Sequence, residues 1–221
     1  MFIVLEGLDG AGKSTQLRLL TRYFEDKGVG VKYLHFPRFD APVYGGMISS
    51  FLKGEYGSNE AVHPQLVALL FAEDRRDAAP LLRKWFDEGY CVILDRYVYS
   101  NIAFQTCKLA DREKSDNLRQ WILDVEYDHF GIPRPDLNIF LDVPIGFVDA
   151  KLSAARSGDD RAYLDGGKDI HEADIEFQKK VREVYLDCCR HDDSFIRIDC
   201  GDENGRMLSP ERIFEKIYSL L

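Results

Sequence analysis

The sequence predicts an α/β fold, a five-stranded parallel sheet flanked by helices on both faces. Two observations carry that expectation. Short, uniformly apolar runs alternate with longer stretches of helical periodicity along the 221 residues, the order of βαβ crossovers. A glycine-rich octapeptide, Gly7-Leu8-Asp9-Gly10-Ala11-Gly12-Lys13-Ser14, joins the first apolar run to the first helical stretch. It fits G-x-x-x-x-G-K-[ST] and stands where that pattern has a mechanism, between a strand and a helix.

The runs 2–6, 31–35, 91–95, 137–141 and 195–199 read as strands. Several are too apolar to leave one face wet, as expected of parallel strands covered on both sides. Helical periodicity marks 13–27, 63–88, 112–130, 146–156, 171–190 and 210–220. Pro80 predicts a kink or a break within 63–88, because proline supplies no N–H and crowds the preceding turn. Ile132-Pro133-Arg134-Pro135 makes a stiff approach to the fourth strand. The stretch from Ser157 to Gly167 is polar, glycine-bearing and aperiodic, hence expected to be a mobile surface loop. With no internal repeat and no linker, residues 1–221 read as one domain.

Composition narrows the function classes. Apolar residues make up 45% of the chain, ordinary for a globular protein. The formal charge of −9 argues against a broad surface for nucleic acid. A small anionic substrate needs only a local cluster of Arg and Lys. The five cysteines include no C-x-x-C pair, which fits a reduced protein better than a disulfide framework or a zinc site. Adjacent Cys188 and Cys189 read as packing residues. No run is long enough to cross a bilayer, so a soluble, cytoplasmic protein without a membrane partner is expected.

The octapeptide has its own chemistry. Its glycines let successive backbone N–H groups curl around a phosphate, and the helix that follows adds partial positive charge. Gly7, Leu8, Asp9, Gly10, Ala11, Gly12, Lys13, Ser14 and Thr15 are therefore the residues expected to bind a nucleoside triphosphate. Lys13 would reach the β- and γ-phosphates, and the Ser14 hydroxyl would hold Mg²⁺. Such loops serve GTPases, motors and small-molecule kinases alike. No N-K-x-D tetrapeptide is present to read guanine, and a motor would normally be larger. A nucleotide kinase needs a second pocket for an acceptor and a cationic lid over the moving phosphoryl group.

Further segments resemble one family, the thymidylate (dTMP) kinases. The loop Glu6 to Thr15 matches that family's loop, including Asp9 at its third position. Phe36-Pro37-Arg38, Leu70-Phe71-Ala72-Glu73-Asp74-Arg75 and Asp95-Arg96-Tyr97 also match, with Asn101, Phe104 and Gln105 following the last triplet. Gly131 to Asp136, leading into Leu141-Asp142-Val143, continues the likeness. The resemblance runs from residue 2 to about 190. It implies a P-loop nucleoside monophosphate kinase fold and Mg²⁺-dependent transfer from ATP to dTMP, giving dTDP for dTTP synthesis. It also implies a homodimer.

Phe71 and Arg75 are four apart and share a helix face. In the family this face holds thymine, the ring stacking on the base and the arginine donating to a base carbonyl. The ordinary alternative is a core phenylalanine and a solvated arginine. Arg38 and Arg96 each follow a strand end, on the edge where such sheets bind ligands. The resemblance makes both of them clamps on the acceptor phosphate, with Phe36 beside them; surface and structural ion pairs are the alternatives. Asp9 would face the acceptor 3′-hydroxyl and the Mg²⁺ shell. Asp95 resembles the carboxylate that holds Mg²⁺ through water, its alternative being a local cap or pair. Phe104 would press on the deoxyribose near C2′, plain core packing being the alternative, and Asn101 and Gln105, four apart on one helix, would read the base edge.

The match loosens at the lid, about 156–168. Some dTMP kinases carry an arginine in the phosphate loop where this chain has Gly10. The other subgroup supplies the cation from the lid, which here offers Arg156 and Arg161, with Lys151 and Lys168 nearby. Lys13, Asp9, Arg96, Arg156 and Arg161 are therefore the expected catalytic residues. His171 stands where family members often have an aromatic, and Ile170 is also unusual there; the alternative is that His171 simply begins the helix. Two other readings remain: another deoxynucleotide or deoxynucleoside kinase on this fold, and a nucleotide-dependent switch protein.

Overall fold

The computed structural model describes residues 1–153 and 175–221. The five expected strands form within one residue of their predicted limits: β1 (Phe2–Gly7), β2 (Val31–His35), β3 (Cys91–Asp95), β4 (Leu137–Asp142) and β5 (Phe195–Asp199). They make a single parallel sheet in the order β2-β3-β1-β4-β5. Burial follows from that order. Every residue of β1, β3 and β4 is buried, whereas the edge strands β2 and β5 are partly exposed, as parallel sheets covered by helices require. Val92, Ile93 and Leu94 have no exposed surface at all.

The helices are α1 (Lys13–Asp26), α2 (Tyr44–Leu52), α3 (Pro64–Asp87), α4 (Val98–Thr106), α5 (Arg112–Leu123), α6 (Ile145–Ser153), α7 (Ile175–His191) and α8 (Pro210–Tyr218). Helix α2 has no counterpart among the stretches read from periodicity. It buries Ile48, Phe51 and Leu52 against Val67 of α3 in a small second core, with Phe71 packed alongside.

Two expectations are corrected. Pro80 does not break the third helix, which runs unbroken from Pro64 to Asp87. Pro80 lies on the exposed side of α3, next to exposed Arg76, so the Arg76 carbonyl that loses its helical N–H partner remains open to water. The stretch 112–130 is not one α-helix either. It is α-helical to Leu123 and then winds as a π-helix over Asp124–His129. The Phe130 N–H donates to the Val125 carbonyl, an i→i+5 bond that marks the wider turn. This winding accompanies the inward placement of Glu126, which has no exposed surface.

Because all five strands run parallel, the segments that follow them gather at one edge of the sheet, with the loop after central β1 flanked by those after β3 and β4. That edge is where open α/β sheets place their ligands. Among the described residues no helix is long and apolar enough to cross a membrane. All five cysteines are free thiols.

Candidate active site

The loop after β1 turns on glycine. Gly12 takes a left-handed conformation, φ 82°, at the N-cap of α1, which an L side chain would resist. At Gly7 the limit is space: a Cβ would sit 3.2 Å from the Leu141 carbonyl and 3.3 Å from the Ala11 Cβ. Ser14 and Gly10 are exposed at the mouth of the loop, while Leu8, Ala11 and Lys13 are buried. The Lys13 ammonium folds back to donate to the carbonyls of Gly7 (3.4 Å) and Leu8 (3.2 Å). It lies 3.7 Å from Asp95 Oδ1. Burial and the nearby Arg96 hold its pKa below the ordinary lysine value, against the pull of Asp95, Asp9 and Glu6.

Asp95 closes β3. Burial disfavours its charge, yet Lys13, His35 and Arg96 outweigh burial and hold its pKa down to about 2. It is therefore a carboxylate at any neutral pH. Its Oδ2 lies 3.6 Å from His35 Nδ1 at the end of β2. Its Oδ1 is buried without a hydrogen-bond partner among the described residues.

Arg96 follows directly, the one non-glycine with positive φ (69°) among the described residues. That conformation costs free energy, on the order of 1 kcal/mol or more, and calls for surroundings that enforce it. They do. Arg96 Nη2 donates to Asp9 Oδ1 at 2.7 Å, Nη1 donates to Ser100 Oγ at 3.1 Å, and the guanidinium lies 5.0 Å from the centre of the Phe104 ring. Burial opposes the Arg96 charge, but Asp9 and the other acidic neighbours keep its pKa above the ordinary arginine value.

A buried carboxylate with no expected site role holds this corner together. Glu6, at the end of β1, accepts from the backbone N–H groups of Tyr97 (2.9 Å) and Ser100 (3.1 Å). The Ser100 hydroxyl and the Tyr185 hydroxyl also donate to it. Glu6 thus serves as the cap of α4, whose own N-cap residue makes no side-chain cap bond. Burial pushes the Glu6 carboxyl up, against the lowering effect of Ser100, Arg96 and the Tyr97 N–H. Gln178 of α7 completes the group by donating to Asp9 Oδ2 at 3.1 Å.

A second cluster lies between α3, α4 and the π-helical turn. Arg75 is 2% exposed and pairs with Glu126 through two parallel bonds, Nε to Oε2 at 2.5 Å and Nη2 to Oε1 at 2.8 Å. Asn101 donates to Glu126 Oε1 and to the Ala68 carbonyl, both at 3.0 Å. Its own Oδ1 has no hydrogen-bond partner among the described residues. Phe71 meets Phe51 edge-on at 6.4 Å between ring centres. Gln105 is buried, with Oε1 accepting from Lys108 at 2.8 Å.

Arg38, in the turn after β2, is held against α3. Its Nε donates to Asp74 Oδ1 at 2.8 Å, and Nη2 donates to the Asp74 carbonyl (2.9 Å) and to Asp77 Oδ2 (2.7 Å). The Arg38 N–H holds the other oxygen of Asp74. Phe36 is buried beneath, 6.0 Å from the Arg38 guanidinium and 5.8 Å from the Tyr97 ring.

The structure therefore brings Asp9, Lys13, Asp95, Arg96 and Phe104 into one group, and Arg75 and Asn101 into a second. Phe71 and Gln105 lie beside Phe51 and Lys108. Arg156 and Arg161 lie outside the described residues, as do Lys168, Ile170, His171 and the segment expected to be a lid. Glu6, His35, Asp74, Glu126 and Gln178 were not predicted as site residues. Two of them carried a signal: Glu6, a lone carboxylate at the end of an apolar strand, and Asp74, inside the matching segment that ends in Arg75. Among the described residues no three His, Cys, Asp or Glu side chains form a metal-holding group.

A phosphate-loop, a carboxylate and an arginine at the ends of neighbouring parallel strands, on this strand order, define a phosphotransferase of the P-loop nucleotide kinase class. A solved thymidylate kinase from Candida albicans superposes with a TM-score of 0.72, covering 99% of this chain and 89% of that one at 23% identity. At that identity the likeness is one of fold. Sequence goes further. The thymidylate kinase family model matches residues 5–207, and the chain belongs to that family. The thymidylate kinase of Plasmodium falciparum is 34% identical over 200 residues, covering 90% of this chain and 81% of its own. That of Mycobacterium tuberculosis is 34% identical over 194 residues, covering 85% of each. A probable thymidylate kinase of Thermococcus onnurineus is 38% identical over 193 residues, covering 84% of this chain and 82% of its own.

Proposed function

We propose that this chain transfers the γ-phosphoryl group of ATP to dTMP, giving ADP and dTDP for dTTP synthesis, with Mg²⁺ and as a homodimer. The observation that carries the reading is the 2.7 Å pair between Arg96 and Asp9. It ties the arginine after β3 to the phosphate loop after β1, so an acceptor phosphate on Arg96 would lie beside a donor in the loop. Backbone N–H groups of the loop and Lys13 hold the donor phosphates. Arg96 and Arg38 hold the acceptor phosphate, which is largely dianionic at neutral pH and needs no strong general base. Catalysis is then alignment and charge neutralisation. Arg156 and Arg161 are proposed to supply the cation over the moving group.

The Mg²⁺ ion would be held by the Ser14 hydroxyl and, through water, by Asp95. The residues fit it: Asp95 offers a buried, ionised oxygen that no hydrogen bond from the described residues occupies, as suits a hard cation that keeps its waters. When bound, it would neutralise charge on the β- and γ-phosphates. The homodimer has surface available, since Val43 and Met47 at α2 and Leu66 and Leu69 on α3 are exposed.

A coupled ADP-release assay with ATP, Mg²⁺ and dTMP, dUMP, dCMP, UMP, AMP or thymidine tests the reading. Strong preference for dTMP is expected. Preference for another acceptor would keep the kinase and overturn the base pocket, and release indifferent to every acceptor would overturn the kinase reading. For the lid, Arg156→Ala and Arg161→Ala, made separately, are expected to show one large loss of turnover, ~10³-fold or more. Two unaffected variants would refute lid-arginine catalysis.

A further inference from the structure

Asn101, Gln105 and Lys108 follow at i, i+4 and i+7, the first two on α4 and the third just past its end, so they share one face. That face meets α2 and α3: Asn101 donates to the Ala68 carbonyl, and the Lys108 ammonium lies 5.3 Å from the centre of the Phe51 ring. Phe51 in turn meets Phe71. Gln105 is 1% exposed, and its Oε1 accepts from Lys108 Nζ at 2.8 Å. Burial pushes the Lys108 ammonium down to about 8, with Cys107 opposing, so it carries its charge at pH 7.

A charged lysine donates hydrogen bonds and accepts none. Only the oxygen of the Gln105 carboxamide can face it, and the Nε2 end must point away. We propose that Lys108 is a positioning residue for choice of the acceptor base: by occupying the Gln105 oxygen, it commits Gln105 to offering N–H donors to the base. The inference rests on the proposed reading of the Phe71–Arg75 face as the base pocket. Thymine and uracil present carbonyl oxygens at positions 2 and 4, which an N–H donor satisfies. Cytosine places an amino donor at position 4, and a donor facing a donor leaves both unpaired in a buried site. Were Gln105 free to turn, its oxygen would accept from that amino group and the distinction would shrink. Sequence reading assigned base contact to Asn101 and Gln105 without saying which end of either amide faces the base, and the lysine partner supplies that choice for Gln105.

The test compares wild type with Lys108→Met, Lys108→Gln and Lys108→Arg at pH 7, measuring kcat and KM for dTMP and dCMP. Methionine keeps an unbranched stem on Phe51 without the charge, and glutamine can donate or accept. Both are expected to lower the dTMP:dCMP ratio of kcat/KM about tenfold, mainly through KM. Arginine, another pure donor, is expected to restore the ratio. The glutamine variant supplies the measurement if methionine costs the fold. A ratio unchanged in a folded methionine or glutamine variant would overturn the inference while leaving the base pocket intact. A wild-type enzyme that does not prefer dTMP would overturn the pocket reading and this inference with it.

Discussion

Replacing Arg96 with alanine is expected to lower turnover by ~10²–10³-fold, the loss typical of removing one preorganised donor from a charged transition state. The chain should still fold. The β3 strand before Arg96 is buried on its own apolar residues, and the cap of α4 is made by Glu6 rather than by Arg96. Asp9 would lose its guanidinium but keep the Gln178 amide, and at 19% side-chain exposure it has access to water. The left-handed backbone at residue 96 is equally strained with alanine, so that cost cancels in the comparison. Steady-state kinetics beside a thermal melt would check this. Near-wild-type turnover in a folded variant would remove Arg96 from the chemistry. Arg96→Lys should fall between, because an ammonium keeps the charge and loses the fork that spans Asp9 and Ser100.

The second large effect is on stability. Glu126→Leu is expected to cost about 3–5 kcal/mol, since it strands a fully buried guanidinium with no carboxylate. For a chain of this length that is a fall in Tm of roughly 6–20 °C. Arg75→Met/Glu126→Leu should recover part of the loss, because removing both charges together leaves neither uncompensated. The double variant is also expected to lose its preference among pyrimidine acceptors, which separates the structural role of the pair from base reading. Differential scanning calorimetry of the three proteins decides it. A single variant that melts within ~2 °C of wild type would show the pair to be dispensable. Arg75→Ala is for the same reason a poor test of base readout, since it would leave the buried Glu126 carboxylate with the Asn101 amide but no cation.

The Arg75–Glu126 pair shows where sequence reading stops. Arg75 was legible because Phe71 and Arg75 share a helix face and sit in a recognisable segment. Glu126 lies 51 residues away, inside a stretch whose periodicity read as one α-helix. The π-helical turn that accompanies its burial is not encoded in apolar spacing. Pro80 failed in the opposite direction. It is a strong local breaker by propensity, but its ring stands on the exposed side of α3, where the freed carbonyl can meet water. Helix α2 escaped because its nine residues include two glycines and its burial is against α3 rather than the sheet.

What the sequence by itself determined is the sheet, the phosphate loop and the positions of Lys13, Asp95 and Arg96 at strand ends. Apolar runs of strand length must be buried, and glycine alone tolerates the loop geometry, so these features are written residue by residue. Only the tertiary structure decided the partners: Glu6 capping α4, Gln178 on Asp9, Asp74 and Asp77 on Arg38, Glu126 on Arg75, and Lys108 on Gln105. Most of these join groups far apart in the chain, and which polar atom meets which is set by how packed elements cross. Lys108 and Gln105 are three residues apart, yet their meeting depends on the turn at the end of α4 and on Phe51 from α2. Charge and hydrogen-bonding capacity are properties of a side chain; their satisfaction in a buried site is a property of the fold.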